Sequence, residues 1–540
     1  MRFLKRKNKD TSIPILPPTS VPPALSVARL EAVVKSILII LYALTVLGVV
    51  IVVIAENRNP LKSIAWVAAL ILTPGVGLLA YLLFGQDNRK ERIISRRTYR
   101  RIMRGMHYPP PPAPLPPLPP AVPSSSLLSA GAAVTSADFS PLLRLLHRIG
   151  SAPPLHVSDN DITIFTCGED HFDALLADIA HAERHIHLEY YVFNDDAIGL
   201  RVRYALIAAA RRGLSVRVLY DDVGSWAVSR GFFRDMKEAG IHVHSFLHVA
   251  VPFLYSKVNY RNHRKIAVID GRIGYIGGMN IADRYHRGLS WGPWRDTQLR
   301  LVGQAVHGLQ SAFLVDWHVA TRRILTPTDF FPLSSPENMS VNKEGDEGGE
   351  GGVGIGKRAD CIQIAIGGPT GHWRILLQAT IRLITAARRY VFIQTPYFLP
   401  TESLNQALQV VALSGVDVRL MLPKRSDVHA VHLAGRSYLA DLLRAGVKVY
   451  FYESGFLHAK VIIVDDAVTC VGSANMDFRS FEHNFEVNAY IYAEAFARRM
   501  RRIFEDDQTH SSFVSPSVWL RRPRRERFFE SFCRLFSPLM

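Results

Sequence analysis

His263-Arg-Lys-Ile-Ala-Val-Ile-Asp270 and His458-Ala-Lys-Val-Ile-Ile-Val-Asp465 are two copies of one pattern. In each copy Lys (Lys265, Lys460) follows His by two, Asp by seven, Gly (Gly277, Gly472) by fourteen and Asn (Asn280, Asn475) by seventeen. Four matched offsets do not arise by chance, so the chain is internally duplicated.

Ile266 to Ile269 and Val461 to Val464 are apolar, β-branched-rich runs that predict buried strands. His and Lys at i and i+2 then project from one face. A neutral imidazole beside an ammonium suits attack on a phosphodiester. Asp270 and Asp465 complete the catalytic motif. Their odd offsets from Lys place them on the other face or in the following turn, where they orient backbone or lysine without touching substrate. The turns Gly277-Gly-Met-Asn280 and Gly472-Ser-Ala-Asn475 return a small residue and an amide toward the same place. This makes Gly277, Gly472, Ser473, Asn280 and Asn475 candidate substrate-binding residues. Donors from both copies would surround one phosphate, and two imidazoles would share the nucleophile and acid roles.

The pattern HxK(x)4D(x)6GSxN, given twice, resembles the phospholipase D superfamily. Gly278 stands where that family usually has Ser, so a hydroxyl contact is expected to be missing on that side.

The 540 residues carry a net charge of +17. Residues 1 to 105 hold 17 basic and 5 acidic side chains, and residues 521 to 534 hold 6 and 2. The body between is left near neutral, whereas a nuclease would carry its basic surface around the catalytic cleft, so no nucleic-acid partner is expected. The charge flanks apolar segments instead, which points to an anionic membrane. Cys167, Cys361, Cys470 and Cys533 are scattered without a C-x-x-C pair or zinc spacing, so neither a disulfide framework nor a metal is expected.

Residues 1–35 form a basic, proline-bearing tail. Ser36 to Ala55 contains no charge and is long enough to cross a bilayer. It starts too late, and runs too long without a small-x-small exit, for a cleaved signal peptide. Ser63 to Gly85 is a second uncharged run with Thr73-Pro74-Gly75 in its middle, read as a second span with a kink or re-entrant bend. Seven basic residues precede the first run and eight lie in residues 86 to 105. The positive-inside rule then predicts a two-helix transmembrane hairpin over 36–85 with both ends cytoplasmic. Residues 86–160 are read as a basic juxtamembrane helix and a linker whose Pro109 to Pro123 stretch holds ten prolines.

Alternating helices and strands follow. Helix Phe172–Ala182, strand Ile186–Phe193, helix Ile198–Arg212 and strands Ser215–Tyr220 and Ile241–Phe246 precede the first His-x-Lys strand. Helix Ile375–Ala387, strand Val391–Gln394, helix Leu404–Ser414 and strands Val416–Leu422 and Val447–Tyr452 precede the second. This predicts an α/β fold of two pseudo-symmetric sandwich halves, 161–335 and 359–510, with both histidines at their interface. A flexible Gly/Glu linker, 336–358, joins them. Residues 511–540 form a basic amphipathic segment. Phe528, Phe532 and Leu535–Phe536 make one helix stripe there, either lying on the membrane or packing on the catalytic body.

His187-Leu-Glu-Tyr-Tyr-Val-Phe193, Leu219-Tyr-Asp-Asp-Val-Gly-Ser225 and Gln394-Thr-Pro-Tyr-Phe398 behind two apolar segments narrow the resemblance to bacterial cardiolipin synthases. That resemblance implies an integral enzyme of the bacterial inner membrane, with its catalytic domain on the cytoplasmic side. The implied reaction moves a phosphatidyl group from one phosphatidylglycerol to another, without a cofactor. His263 would be the nucleophile and His458 the acid and base, with Lys265, Lys460, Asn280 and Asn475 holding non-bridging oxygens. The sequence leaves hydrolysis, as a phospholipase D or phosphodiesterase, open beside transfer. Asp296 and Glu486, just after the motifs, are candidates to fix the histidine tautomers. Tyr191 and Tyr397, at corresponding strand ends, would contact a headgroup or simply pack.

Overall fold

The computed structural model describes residues 27–55, 60–73, 75–81, 139–150, 152–247, 260–325, 330–332, 360–370 and 373–537. The chain divides into two compact units, Met1–Gln86 and Asp87–Met540. The basic tail before residue 27, the juxtamembrane stretch, the proline-rich spacer and the Gly/Glu linker lie outside the described residues.

In the first unit, helix Val27–Ala55 carries the apolar run, and its Arg29–Val53 portion is long and apolar enough to cross a membrane. The second run is interrupted between Leu72 and Val76, at the stretch where a kink or re-entrant bend is expected. It forms two shorter helices, Pro60–Leu72 and Val76–Ala80. The break falls where Pro74 brings no amide hydrogen and Gly75 has φ +78°, a conformation that interrupts a right-handed helix. The helices are still tied together. Tyr42 Oη donates to Leu70 O (3.4 Å) and accepts from Gly75 N–H (3.1 Å), and Val53, Leu70 and Tyr81 are buried between them.

In the second unit, two sheets repeat one order. The first runs Ile162–Phe165, Gln298–Val302, Ile273–Gly277, Lys265–Ile269, His185–Tyr190, Ser215–Asp221, His242–Phe246. The second places Cys361–Gly367, Glu486–Tyr492, Val468–Gly472, Val461–Val464, Tyr390–Gln394, Asp417–Pro423 and Lys448–Tyr452 in the same sequence. In both, the last three strands are parallel and the motif strand is antiparallel to its neighbours.

Each motif strand is buried on both faces, which is why it reads as a continuous apolar run and not as an alternation. Ala267 and Ile269 join the outer core of the first half, while Ile462 and Val464 join that of the second. Ile266, Val268, Val461 and Ile463 meet in one core shared by the halves, with Leu309 and Phe496 from the flanking helices.

The expected boundaries need two corrections. Residues 139–150 and 152–157, expected to belong to the linker, are folded onto the second half. Helix Ser140–Gly150 buries Leu142 and Leu146 in that half's outer core, and Leu155–His156 pair with Ile362 and Cys361. At the opposite edge Ser511–Phe513 pair with Lys448–Tyr452. Leu155–His156 and Ser511–Phe513 thus cover two sheet edges that would otherwise present unpaired backbone groups.

Candidate active site

Each motif histidine sits just before its strand, in an extended segment that pairs with a segment of the other half. Asn262 bridges Phe485, and His263 N–H donates to Phe485 O at 2.9 Å. Symmetrically, Phe456–Leu457 pair with Trp294–Arg295, and His458 N–H donates to Arg295 O at 2.7 Å. The exchange places each imidazole beside a carboxylate from the opposite half.

His263 Nδ1 lies 3.0 Å from Glu486 Oε1 and 3.1 Å from Oε2, and His458 Nδ1 lies 2.6 Å from Asp296 Oδ2. Burial pushes both carboxyls up. The positive charges and donors around them win, so both are held below the usual carboxylate range. For Asp296 these are Lys460, His458 and the Thr297 N–H; for Glu486 they are His263, Lys265 and the Ser473 hydroxyl. An ionised carboxylate only accepts, so Nδ1 of each ring carries a hydrogen and the Nε2 lone pair is left free. Burial lowers both imidazoles, His458 to about 4 with Lys460 contributing, so neither ring is charged at neutral pH.

Lys265 Nζ donates to His263 O at 2.5 Å, and Lys460 Nζ contacts His458 O and lies 2.9 Å from His458 Nδ1. Burial depresses both ammonium groups, Lys460 to about 8. Aromatic rings wall the histidines. Tyr191 stands edge-on 5.0 Å from His263, while Trp294, Tyr285 and Tyr397 lie 5.0, 5.7 and 6.4 Å from His458. Tyr191 and Tyr397 are thus beside the imidazoles, and Tyr397 Oη also donates to Asp427 at 2.7 Å.

Other sequence candidates are placed elsewhere. Asp270 and Asp465 end their strands in left-handed conformation (φ 53° and 55°), one tolerated by Asp. Each carboxylate accepts three backbone N–H groups where the preceding strand begins: from Glu183, Arg184 and His185, and from Arg388, Arg389 and Tyr390. At about 3.3 Å per residue, five residues separate them from the lysines by roughly 16 Å. They brace strands and do not face the imidazoles, as their odd offset implied.

Ser473, expected to bind substrate, instead donates to Glu486 Oε2 at 2.5 Å and accepts from Val487 N–H at 2.9 Å. Gly277 and Gly472 also act on the neighbouring strand. A Cβ there would lie 2.3 Å from Thr297 O and 2.2 Å from Asn488 Oδ1. At Gly278, where a hydroxyl contact looked missing, a Cβ would lie 2.1 Å from Asp296 Oδ1. The shorter carboxylate of Asp296 occupies the space that Ser473 fills in the other copy, and Thr297 N–H supplies the hydrogen bond at 2.8 Å. Asn280 accepts from Val192 N–H and donates to Tyr285 Oη (2.6 Å), and Asn475 donates to Asp477 (3.2 Å).

Two buried arginines were not found in the sequence. Arg264 pairs with Asp316 in its own half while donating to Glu486 O (3.1 Å) and Gly367 O (2.8 Å) of the other. Arg295 binds Asp507 through two bonds, 3.0 and 2.7 Å. The repeat gave no signal for Arg264, because Ala459 occupies the matching position.

Residues 175–289 and 380–508 match the family described as cardiolipin synthase, PLD-like domain, and residues 43–86 match the phospholipase D-nuclease N-terminal family. The cardiolipin synthase of Geobacillus kaustophilus is 40% identical over 503 residues, covering 93% of both chains. The major cardiolipin synthase ClsA of Bacillus subtilis is 38% identical over 511 residues, covering 94% of this chain and all of that one. Among solved structures, a phosphatidylserine synthase of Haemophilus influenzae superposes with a TM-score of 0.58 at 13% identity. It covers 74% of this chain and all of its own length, a likeness of fold.

Proposed function

The chain belongs to the cardiolipin synthase family of phospholipase D-like proteins, and on that premise we propose that it joins two phosphatidylglycerol molecules into cardiolipin with release of glycerol. The observation that carries the mechanism is the pair of imidazoles, each held at Nδ1 by an ionised, buried carboxylate, with Nε2 free. His263 Nε2 attacks phosphorus of the first lipid, forming a P–N bond as the P–O bond to glycerol breaks. His458, which takes a proton from solvent onto Nε2 once the lipid's phosphodiester anion lies beside it, delivers that proton to the departing alkoxide and returns to its neutral form. The terminal hydroxyl of a second phosphatidylglycerol then gives its proton to His458 and attacks phosphorus, which releases His263. A phosphodiester is exchanged for a phosphodiester, so no external energy source is required. Lys265 and Lys460 balance the charge on the non-bridging oxygens, together with the remaining amide hydrogens of Asn280 and Asn475.

The domain limits follow the same reading: a basic tail, membrane segments over 36–85, two catalytic halves joined by the 336–358 linker, and a basic carboxy-terminal segment. The apolar helix Arg29–Val53 is compatible with membrane association. The basic residues on both sides of the apolar runs support a two-pass anchor with the catalytic halves on the cytoplasmic side of a bacterial inner membrane.

Purified full-length protein incubated with phosphatidylglycerol bilayers, with lipids and glycerol resolved together, tests the reaction. One cardiolipin per glycerol is expected. Phosphatidic acid in place of cardiolipin would instead establish hydrolysis by the same site.

A further inference from the structure

The last helix, Arg524–Arg534, docks on helix His429–Arg444 by its polar side. Glu530, 2% exposed, accepts from Arg436 Nε (2.8 Å) and Arg522 Nη2 (2.9 Å). Arg522 and Arg436 lie over the buried Trp519 ring at 3.4 and 4.9 Å, and Arg534 lies over Tyr438 at 4.2 Å. Trp519 and Arg522 are therefore parts of this dock.

A helix on a soluble body turns its apolar stripe inward. This one turns it out. At about 100° per residue, Phe528, Phe529, Phe532, Leu535 and Phe536 fall within an arc of roughly 120° centred opposite Glu530, and all five are exposed. In the Asp87–Met540 unit, thirteen large apolar side chains are exposed among the described residues, and Phe513, Val518 and these five are seven of them. The other six, Tyr204, Trp226, Trp373, Val410, Leu413 and Val428, are spread over more than 220 residues of chain. The concentration marks an interaction surface.

We propose that this face seats in the interfacial layer of an anionic bilayer and holds the catalytic unit against its lipid substrate. The proposal rests on the reading of that substrate as phosphatidylglycerol. Charge selects the occupant. Arg521, Arg524, Arg525 and Arg527 are exposed around the phenylalanines, with Glu526 the one exposed carboxylate between Arg521 and Arg534. The face of a second copy would meet these arginines with like charge, whereas anionic headgroups complement them. Phenylalanine and leucine within a ring of arginines is also the composition of helices that lie in the plane of the interface.

The test uses the full chain in bilayer nanodiscs of phosphatidylcholine with acyl-brominated phosphatidylglycerol. Phe532→Trp adds a reporter on the face, and Leu413→Trp, on another exposed helix of the same unit, adds a control. Bromine is expected to quench the added Phe532→Trp emission at least about twofold and to leave that of Leu413→Trp unchanged. Charge reversal at Arg521, Arg524 and Arg525 is expected to reduce that quenching. Equal quenching of the two reporters overturns the proposal, whether the face stays in water or is covered by a second copy. Unchanged quenching after charge reversal overturns its electrostatic part. Quenching requires no turnover, so a protein that quenches without making cardiolipin would sink the proposed reaction and leave the bilayer contact standing.

Discussion

Glu486 of the second half fixes His263 of the first at 3.0 Å, and the Asp296–His458 contact repeats the exchange in the opposite direction at 2.6 Å. Neither imidazole is oriented by its own half. A half that folded alone would carry a histidine with an unrestrained tautomer and a buried carboxylate with no cation, so the duplication needs both copies to make one site.

Replacing either His263 or His458 by Ala is expected to lower turnover by about a hundred- to ten-thousandfold, because each supplies a different step. With His263 as nucleophile, His458→Ala accumulates a phosphatidyl adduct on residue 263, located by mass spectrometry of the denatured protein. An adduct found on His458 in the His263→Ala variant would reverse the assignment.

Glu486→Gln and Asp296→Asn preserve shape and remove the charge that keeps Nδ1 protonated. Both are expected to lower kcat by about a hundredfold or more with KM little changed. Equal loss in kcat and in folding stability would show a packing role only.

Gly278→Ser and Ser473→Gly should not be mirror images. The first drives a Cβ toward the Asp296 carboxylate and displaces the group that orients His458. The second removes one hydrogen bond to Glu486, which Asn484 Nδ2 also holds at 3.1 Å. Gly278→Ser is therefore expected to lose the more kcat, and equal losses in the two variants would contradict this asymmetry.

Arg264→Met leaves Asp316 buried without its cation, at a cost of about 3–5 kcal/mol. The double variant Arg264→Met, Asp316→Leu should recover much of that loss in thermal unfolding, since the unpaired charge is gone. No recovery would place the stabilisation in the Arg264 bonds to Glu486 O and Gly367 O.

His171 is buried among Phe165, Phe172 and Tyr275 with no hydrogen-bond partner on either nitrogen, and burial lowers it to about 3. The unfolded chain protonates this ring near its ordinary 6.5. It therefore favours the folded state fully above that pH, and the contribution is lost as the pH falls toward 3. His171→Phe is expected to shrink the fall in melting temperature between pH 7 and 4.5. An unchanged fall would assign acid sensitivity to other groups.

The repeat, the succession of helices and strands that leads to each motif and the two histidines were determined by the sequence, because burial on both sheet faces leaves a readable apolar run and matched spacing reveals duplication without any structure. The odd offset of Asp270 and Asp465 left backbone or lysine as their partner, and the fold puts both carboxylates on backbone N–H groups. Sequence could not decide which carboxylate serves which histidine, because Glu486 and His263 are 223 positions apart and meet only when the halves dock. Strand packing within one half turned Ser473 to Glu486 and set Gly278 against Asp296, while Arg264 found Asp316 in its own half and Arg295 found Asp507 in the other, partners with no fixed spacing. At the carboxy terminus, the amphipathic stripe was legible as a periodicity. Its direction was not, because the choice depends on Glu530 finding Arg436 and Arg522, a tertiary contact that turns the phenylalanines outward.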